Sequence, residues 1–201
     1  MQKIGAVILA AGSSSRMGQP KQLLSLHGKT LLRASIDAAD KAGCSPVVVV
    51  IGSDSEKVHL ELADSNTIEV RNANWQRGIG SSIRSGVQAL IDHAQDVDAI
   101  LLLVCDQPAV NAQFVESLIA ARNATKKDIA ASTYANTVGV PALFVRSLFK
   151  ELLSLGDEAG AKSIILQKTQ CVVKLPFPDG AIDVDTREDW EKAQRTQSYS
   201  R

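Results

Sequence analysis

Two positively charged residues lie on one short loop that follows the first apolar segment of the chain. That segment, residues 4–9, has the length and composition of a buried parallel strand. The loop contains Gly12, Arg16, Gly18 and Lys21, with three consecutive serines between the two glycines. Glycine lets the backbone approach a ligand closely, and hydroxyls with free backbone N–H groups attract anions. The loop therefore predicts a polyphosphate site.

Two common phosphate-binding loops do not fit this stretch. A P-loop carries a lysine directly after its second glycine, whereas Gly18 is followed by Gln19 and Pro20, and a proline there blocks a helix from starting. A dinucleotide fingerprint needs a second glycine where Ser14 stands. The loop is of a different type.

Three aspartates follow or interrupt predicted extended segments and are candidate metal ligands. Asp106 ends the most apolar segment, residues 99–105, and ligands of open parallel sheets bind beyond the carboxyl ends of the strands. A carboxylate there suits Mg²⁺, which prefers oxygen ligands and completes its shell with water and substrate phosphates. Asp183 and Asp185 alternate with apolar residues, so both should point to one side, with helix capping by Asp185 or Thr186 as the alternative.

A second loop, residues 72–82, leads into an amphipathic helix that Ser81 or Ser82 is predicted to cap. A helix N-terminus with hydroxyls and free N–H groups can read the edge of a base or hold an anion. A plain serine cap is the alternative. Two arginines of this region, Arg77 and Arg84, either contact ligand or are solvated.

The rest of the chain alternates between strand and helix signals. Further strands are expected at residues 46–51, 67–71, 129–133, 139–144 and 171–175. Helices are expected at residues 30–43, 55–63, 111–122, 148–156 and around Trp190. This alternation predicts an α/β fold, a three-layer α/β/α sandwich with a mostly parallel sheet and one cleft at the strand ends. Pro141 is expected at an edge or at a strand start, because proline cannot donate to a ladder.

Composition favours one domain over residues 1–201, with a frayed tail at 195–201. The formal net charge is zero, so we expect no nucleic-acid partner. An odd number of distant cysteines, Cys44, Cys105 and Cys171, indicates reduced thiols of a cytoplasmic protein. We expect no signal peptide and no membrane span, because no apolar run approaches about 20 residues.

The opening loop reads L-x-[AG]-G-x-x-x-R-M-G-x-x-K. It resembles the signature of nucleotidyltransferases that use a nucleoside triphosphate and release pyrophosphate, and within them the molybdenum-cofactor branch. Later segments resemble motifs of the same family in the expected order, namely the asparagine-glycine-serine loop, Cys-Asp-Gln-Pro at 105–108, Gly-Val-Pro at 139–141, the loop at 156–162 and Ile-Asp-Val-Asp-Thr at 182–186. The resemblance implies a Rossmann-like sheet of the nucleotide-diphospho-sugar transferase type.

The same resemblance implies roles for individual residues. Nucleotide binding is implied for Leu9, Ala10, Ala11, Gly12, Ser13, Ser14, Ser15, Arg16, Lys21, Asn74, Gly80, Ser81 and Ser82. Catalysis is implied for Lys21, Arg16 and Asp106, and Mg²⁺ or Mn²⁺ binding for Asp106 with Asp185 or Asp183, of which Asp185 is slightly favoured. Acceptor contacts are implied for Gly139, Pro141 and Lys162. Residues 156–162 depart from the family motif by one extra residue and by Lys162 in place of arginine, which lacks the bidentate fork for phosphate.

The implied reaction moves CMP from CTP to the phosphate of molybdopterin or molybdenum cofactor and gives the cytosine dinucleotide and pyrophosphate. The string at residues 9–12 has alanine where guanine users tend to carry glycine, which favours the cytidylyl branch. One alternative is transfer to another phosphorylated acceptor, such as a sugar or small alcohol phosphate. A second is a non-catalytic carrier of molybdenum cofactor for a molybdenum hydroxylase, with which transient contact is also implied for the enzyme.

Overall fold

The computed structural model describes residues 2–196. Its strands in chain order are β1 (Ile4–Ala10), β2 (Ser25–Leu26), β3 (Lys29–Thr30), β4 (Val47–Ile51), β5 (Ile68–Arg71), β6 (Ala99–Val104), β7 (Ile129–Tyr134), β8 (Thr137–Val145) and β9 (Val172–Pro176). Its α-helices are α1 (Leu31–Lys41), α2 (Ser55–Leu62), α3 (Ile79–His93), α4 (Ala112–Thr125), α5 (Phe149–Leu153), α6 (Lys162–Gln167) and α7 (Arg187–Thr196).

Seven of these strands form one sheet in the order β5-β4-β1-β6-β8-β7-β9, and β2 pairs with β3 in a small hairpin. Within the sheet β8 runs antiparallel to both of its neighbours, while the other pairs are parallel. Strand β1 lies between β4 and the central strand β6, with Ala6 opposite Val47 of β4 and Ile4 opposite Ala99 of β6. All seven residues of β1 are buried, which explains why the strand is apolar without alternation.

Helices cover both faces of the sheet. Side chains of α1, α2 and α4 share one buried cluster with residues from one face, including Ile36, Val58 and Leu118. Side chains of α3, α5 and α6 share the other, including Ile83, Leu152 and Ile164. The predicted three-layer α/β/α sandwich with a mostly parallel sheet is therefore confirmed.

Pro141 lies inside β8, so its predicted place at an edge or a strand start is wrong. The register between β7 and β8 shifts at Ala131/Ser132, and the paired positions on β8 jump from Ala142 to Gly139. The carbonyl of Pro141 accepts a hydrogen bond of 2.6 Å from the Ser132 hydroxyl. Because Pro141 falls in this bulge, its missing N–H leaves no ladder bond unmade.

Helix α3 begins at Ile79, three or four residues earlier than predicted, and Gly78 rather than a serine occupies the N-cap position. Gly78 has a φ of 127°, a left-handed value that favours glycine and turns the chain into the helix. The predicted serine cap is therefore wrong. At the other end of the chain, α7 continues through Thr196, and the predicted frayed tail at residues 195–201 stays a prediction. Residues 197–201 lie outside the described residues, and the single-domain assignment stays a prediction.

Candidate active site

The carboxyl ends of β1 and β6 and the start of α3 surround a cavity of about 300 Å³. Eight of the predicted site residues line it, namely Leu9, Ala10, Ala11, Gly12, Ser13, Lys21, Ser82 and Asp106. Seven further residues complete the wall: Trp75, Gln76, Gly78 and Ile79 from the second loop and α3, and Gln22, Val104 and Cys105. Sequence reasoning identified the loop but not Trp75 and Gln76 as wall residues.

The opening loop is closed by its own hydrogen bonds. The side-chain amide of Gln22, which is only 1% exposed, donates to the carbonyl oxygens of Ala10 and Gly12 at 2.8 Å and 3.0 Å. The hydroxyl of Ser14 accepts a bond of 2.7 Å from the backbone N–H of Lys21. Gln22 was missed from sequence, where its one signal is a polar residue directly before two leucines. These hydrogen bonds therefore fix the backbone conformation of the opening loop.

Lys21 is the centre of the charged part of the site. Its ammonium lies 2.6 Å from a carboxylate oxygen of Asp106 and 2.8 Å from one of Asp185. Arg16 contacts the other oxygen of Asp185 at 2.9 Å. The Lys21 side chain is 14% exposed and that of Asp106 is 21% exposed, so their charges are only partly screened by water. Residues from three distant parts of the sequence therefore converge here.

The pKa values follow from this geometry. Burial alone would lower the pKa of Lys21, but the carboxylates of Asp106 and Asp185 outweigh it and hold that pKa above its usual range. The hydrogen bond from Lys21 lowers the pKa of Asp185, and Arg16 adds to the effect. Both groups therefore remain charged at neutral pH.

Asp183 behaves differently from Asp185. Partial loss of hydration, followed by repulsion from Asp106, raises the pKa of Asp183 to about 6, even though the residue keeps much of its surface exposed. Between the two acids, buried Val184 donates its backbone N–H to the carbonyl oxygen of Asp106 at 2.9 Å. Both acids therefore face the Asp106 side of the cleft. The alternative that Asp185 caps the last helix fails, because the Thr186 hydroxyl accepts from the Asp189 N–H.

The acidic groups fit a divalent cation on chemical grounds. Burial and then the charge of Asp106 raise the pKa of Asp183, and a cation near both acids would relieve the repulsion between them. Within residues 2–196 no three acidic, histidine or cysteine side chains form a ready-made metal cage. Mg²⁺ or Mn²⁺ is usually bound by one or two protein carboxylates, with phosphate oxygens and water as the remaining ligands. Two carboxylates therefore suit these ions better than a closed cage of protein ligands.

Asn72 organises the second loop and was missed from sequence. Its side-chain amide donates to the hydroxyls of Ser81 and Ser82 at 2.9 Å and 3.0 Å, and its side-chain oxygen accepts from the N–H of Asn74 at 2.9 Å. Asn72 and both serines are buried. In the sequence, Asn72 is only a polar residue that follows a predicted strand. That pattern does not show whether its side chain is buried and hydrogen-bonded or exposed in a turn.

Three predicted nucleotide contacts of the second loop do not line the cavity, and neither do Ser14, Ser15 and Arg16 of the opening loop. The N–H of Gly80 is already used, because it donates to the carbonyl oxygen of Asp157 at 2.7 Å. Asn74 is exposed and does not line the cavity. Ser81 is buried beside it and donates to the carbonyl oxygens of Asn74 and Gly78. These three residues therefore support the wall, while Ser82 lines it.

The predicted acceptor residues are divided between two regions. A Cβ on buried Gly139 would lie 2.4 Å from the hydroxyl oxygen of Tyr134, and that tyrosine interacts electrostatically with Asp183. Gly139 and Pro141 are both buried in β8, and neither lines the cavity. Lys162 is exposed at the first position of α6 and does not line the cavity.

Comparison with known families gives this cleft its context. The profile of the MobA-like NTP transferase domain matches residues 6–172. The chain belongs to the MobA-like NTP transferase family. It is accordingly an enzyme of a nucleotidyltransferase class, and the matched region includes the opening loop, Asp106 and the cavity wall.

Two relatives match this chain over nearly their whole length. The chain is 29% identical over 194 residues to the nicotine blue oxidoreductase of Paenarthrobacter nicotinovorans, covering 92% of this chain and 93% of that protein. It is 26% identical over 196 residues to the molybdenum cofactor cytidylyltransferase of Escherichia coli (strain K12), covering 96% and 97%. It is also 35% identical over 134 residues, 65% of this chain, to the bifunctional protein GlmU of Syntrophotalea carbinolica, of which it spans 28%.

Solved structures agree with the fold. Rv0371c from Mycobacterium tuberculosis H37Rv is similar with a TM-score of 0.79 and 28% identity, covering 97% of this chain and 99% of that chain. Its complex with manganese is similar with a TM-score of 0.75 and 28% identity, covering 96% and 98%. Within the described part of the chain, no helix is both long and apolar enough to cross a bilayer.

Proposed function

We propose that this protein transfers CMP from CTP to the phosphate of molybdopterin or molybdenum cofactor, which yields the cytosine dinucleotide form and pyrophosphate. The observation that carries the proposal is the position of Lys21, held between Asp106 and Asp185 at the cavity that the opening loop borders. A cation and acids arranged around a donor-rich loop suit a triphosphate and its counter-ion. Similarity to the Escherichia coli cytidylyltransferase over 96% of the chain supports the choice of reaction.

In this mechanism the acceptor phosphate forms a bond to the α-phosphorus of CTP while the bond to the pyrophosphate oxygen breaks. The acceptor is already anionic, so no general base is required. Lys21 neutralises charge on the α-phosphoryl group as the transition state forms, and Arg16 with the amides of Ser13, Ser14 and Ser15 holds the β- and γ-phosphates. Catalysis is then mostly positioning and charge stabilisation.

Asp106 with Asp185 or Asp183 would hold Mg²⁺ or Mn²⁺. The bound cation would supply charge neutralisation of the triphosphate and of the leaving pyrophosphate. A related protein, Rv0371c, was solved with manganese, which supports a divalent cation of this kind. Asp185 is already fixed by Lys21 and Arg16, so it is the better oriented of the two candidate partners of Asp106.

The cavity wall supports a pyrimidine nucleotide. Ala10 and Ala11 line the cavity and are nearly fully buried, so their methyl groups reduce the space beside the base. Ser82 adds a hydroxyl, and Trp75 and Gln76 add a flat ring and an amide to the same wall. On the acceptor side we assign contacts to Gly139, Pro141 and Lys162, as the family motif implies.

The test is pyrophosphate release with each of the four nucleoside triphosphates, Mg²⁺, and molybdenum cofactor present or omitted. We expect release with CTP, little with GTP, and dependence on the acceptor. Equal rates with CTP and GTP would remove the cytidylyl assignment. Release with a sugar phosphate or a small alcohol phosphate in place of the pterin would assign another acceptor.

Two further candidates remain open to the same assay. Similarity to the nicotine blue oxidoreductase over 92% of the chain favours a redox enzyme on the same framework. A carrier that delivers molybdenum cofactor to a molybdenum hydroxylase would bind the pterin and release no pyrophosphate. The paired Lys21, Asp106 and Asp185 argue against such an inactive cleft. The cytoplasmic location expected from the unpaired cysteines stays a prediction.

A further inference from the structure

A short segment outside the catalytic cluster is fastened to the wall of the nucleoside cavity. We call this segment, residues 155–160, the rim strap. The backbone N–H of Gly80 donates to the carbonyl oxygen of Asp157 at 2.7 Å. Arg84 donates one N–H to the carbonyl oxygen of Leu155 and another to the carboxylate of Asp157. The strap is therefore bound to α3 through both backbone and side chains.

The carboxylate of Asp157 joins two arginines from the second loop and from α3. One of its oxygens lies 2.6 Å from Arg77, and the other accepts from Arg84. The side chains of Asp157 and Arg84 are 27% and 28% exposed, so this pair is better shielded from water than an ordinary surface ion pair. The sequence left open whether Arg77 and Arg84 contact ligand or are solvated. In the structure both arginines instead form ion pairs with Asp157.

The shape of the contact requires glycine on the α3 side. A Cβ on Gly80 would lie 1.9 Å from the carbonyl oxygen of Gly156, and one on Gly78 would lie 2.5 Å from that of Asp157. Neither position could carry a larger side chain with the strap in place. The close approach of two backbones, added to the double ion pair, indicates a built contact rather than a chance encounter of two loops.

Gly78 and Ile79, next to this contact, line the cavity. We propose that Asp157 is a positioning residue that fixes the nucleoside wall, acting through Arg77 and Arg84 and not by touching the substrate. This inference rests on the proposed function, since it assigns the cavity to a nucleotide. Lys162, which the proposed function assigns to the acceptor, begins α6 two residues after the strap.

The first test compares Asp157→Asn with a matched control, Asp64→Asn, which removes the same charge at an exposed position of the surface. We expect Asp157→Asn to raise the KM for CTP about 3- to 10-fold while kcat changes less than about twofold, as for loss of a partly shielded charged pair. Calorimetric titration with CTP and Mg²⁺ should show the same loss of affinity. An unchanged KM and affinity in Asp157→Asn, with a native protein that binds CTP, would overturn the inference.

The second test needs no ligand, so it separates the inference from the proposed function. Hydrogen exchange of the unliganded protein should show faster exchange at the amides of Gly80 and of residues 157–160 in Asp157→Asn than in the native protein or in Asp64→Asn. Equal exchange in all three proteins would contradict the positioning role. If the native protein binds none of the four nucleoside triphosphates, the proposed function fails, whereas the exchange result still decides the role of Asp157 in the wall.

Discussion

At the scale of single residues, the site depends on one ammonium group between two carboxylates. The Lys21 ammonium is 2.6 Å from Asp106 and 2.8 Å from Asp185. Preorganised charge of this kind needs no rearrangement when a transition state forms, and it acts more strongly where water is partly excluded. The role proposed for Lys21 therefore depends on its two ion pairs with Asp106 and Asp185.

Lys21→Ala should lower the rate of pyrophosphate release from CTP by about 100- to 1,000-fold, the typical effect of losing one preorganised donor. The fold should persist, since the removed side chain lies at the cleft and the backbone N–H of residue 21 can still donate to Ser14. Lys41→Ala, which removes a charge that is 66% exposed and far from the cavity wall, is the control. Circular dichroism would check the fold. Near-native release by Lys21→Ala would contradict the assigned role.

Asp183 provides a prediction about pH. Its pKa is raised to about 6 in the folded protein, so the folded state binds more protons than the unfolded state between about pH 4 and pH 6. Its contribution to stability is therefore complete below the unfolded pKa and is lost as pH rises through about 6. Asp183→Asn, which mimics the neutral form, should raise the Tm of the metal-free protein at pH 7.5 by about 2–4 °C. This shift corresponds to roughly 1 kcal/mol after discounting for the exposure of Asp183.

The measurement is thermal unfolding of both proteins in chelator at pH 4 and at pH 7.5. At pH 4 most of the gain should disappear, because Asp183 is then protonated in the folded native protein as well. A variant that is equally stable with the native protein at both values, or less stable at pH 7.5, would show that burial and the acidic neighbours do not disfavour the charged form of Asp183 in the folded protein.

At the scale of elements, the start of α3 shows where sequence reasoning succeeded and where it could not. The loop at residues 72–82 was identified from its glycines and serines, and its position at the cavity was as expected. The predicted serine cap was wrong because Gly78 occupies the N-cap position. The hydroxyls of Ser81 and Ser82 instead accept hydrogen bonds from the side-chain amide of Asn72. Contacts made by residues distant in sequence, such as Gly80 with Asp157, leave no local pattern to read.

Gly80→Ala should destabilise the protein although it places a better helix former in a helix. Helix propensity alone predicts a gain of about 1 kcal/mol, but the new Cβ would lie 1.9 Å from the carbonyl oxygen of Gly156. Overpacking of this kind costs about 1–3 kcal/mol, so a net loss in the free energy of unfolding is expected. Gly156→Ala is the matched control, because no heavy atom lies within 4 Å of its Cβ. Denaturant unfolding compares the three proteins, and a stabilised Gly80→Ala would show that the strap is not held closely.

Element order followed from sequence because each buried strand carries its own signal. The residues 4–9, 46–51 and 99–105 were expected as strands, and they form the adjacent β1, β4 and β6. Pro141 was misplaced, since a bulge inside a paired strand depends on how β7 and β8 align, which propensity does not encode. The same limit explains why Gln22 was missed: its role exists only once the opening loop has folded back on β1.

At the scale of the whole molecule, the parallel sheet is what brings the site together. Asp106 and Asp185 lie 85 and 164 positions after Lys21 in the sequence, yet all three residues meet at one edge of the sheet. The carboxyl ends of β1 and β6 lie side by side, and the N–H of Val184 ties the last acidic segment to Asp106. Convergence at that edge was predictable from the fold class, whereas the pairing of Lys21 with both acids was not.

The most direct test of the central claim is the rate of pyrophosphate release from CTP, with Mg²⁺ and molybdenum cofactor, by the native protein and by Asp106→Asn. The account predicts release that depends on the divalent cation and the acceptor, is faster with CTP than with GTP, and falls about 100- to 1,000-fold in Asp106→Asn. Chelation of the cation should abolish it. Release at a native rate by Asp106→Asn, or no release from any nucleoside triphosphate by the native protein with acceptor present, would contradict the account.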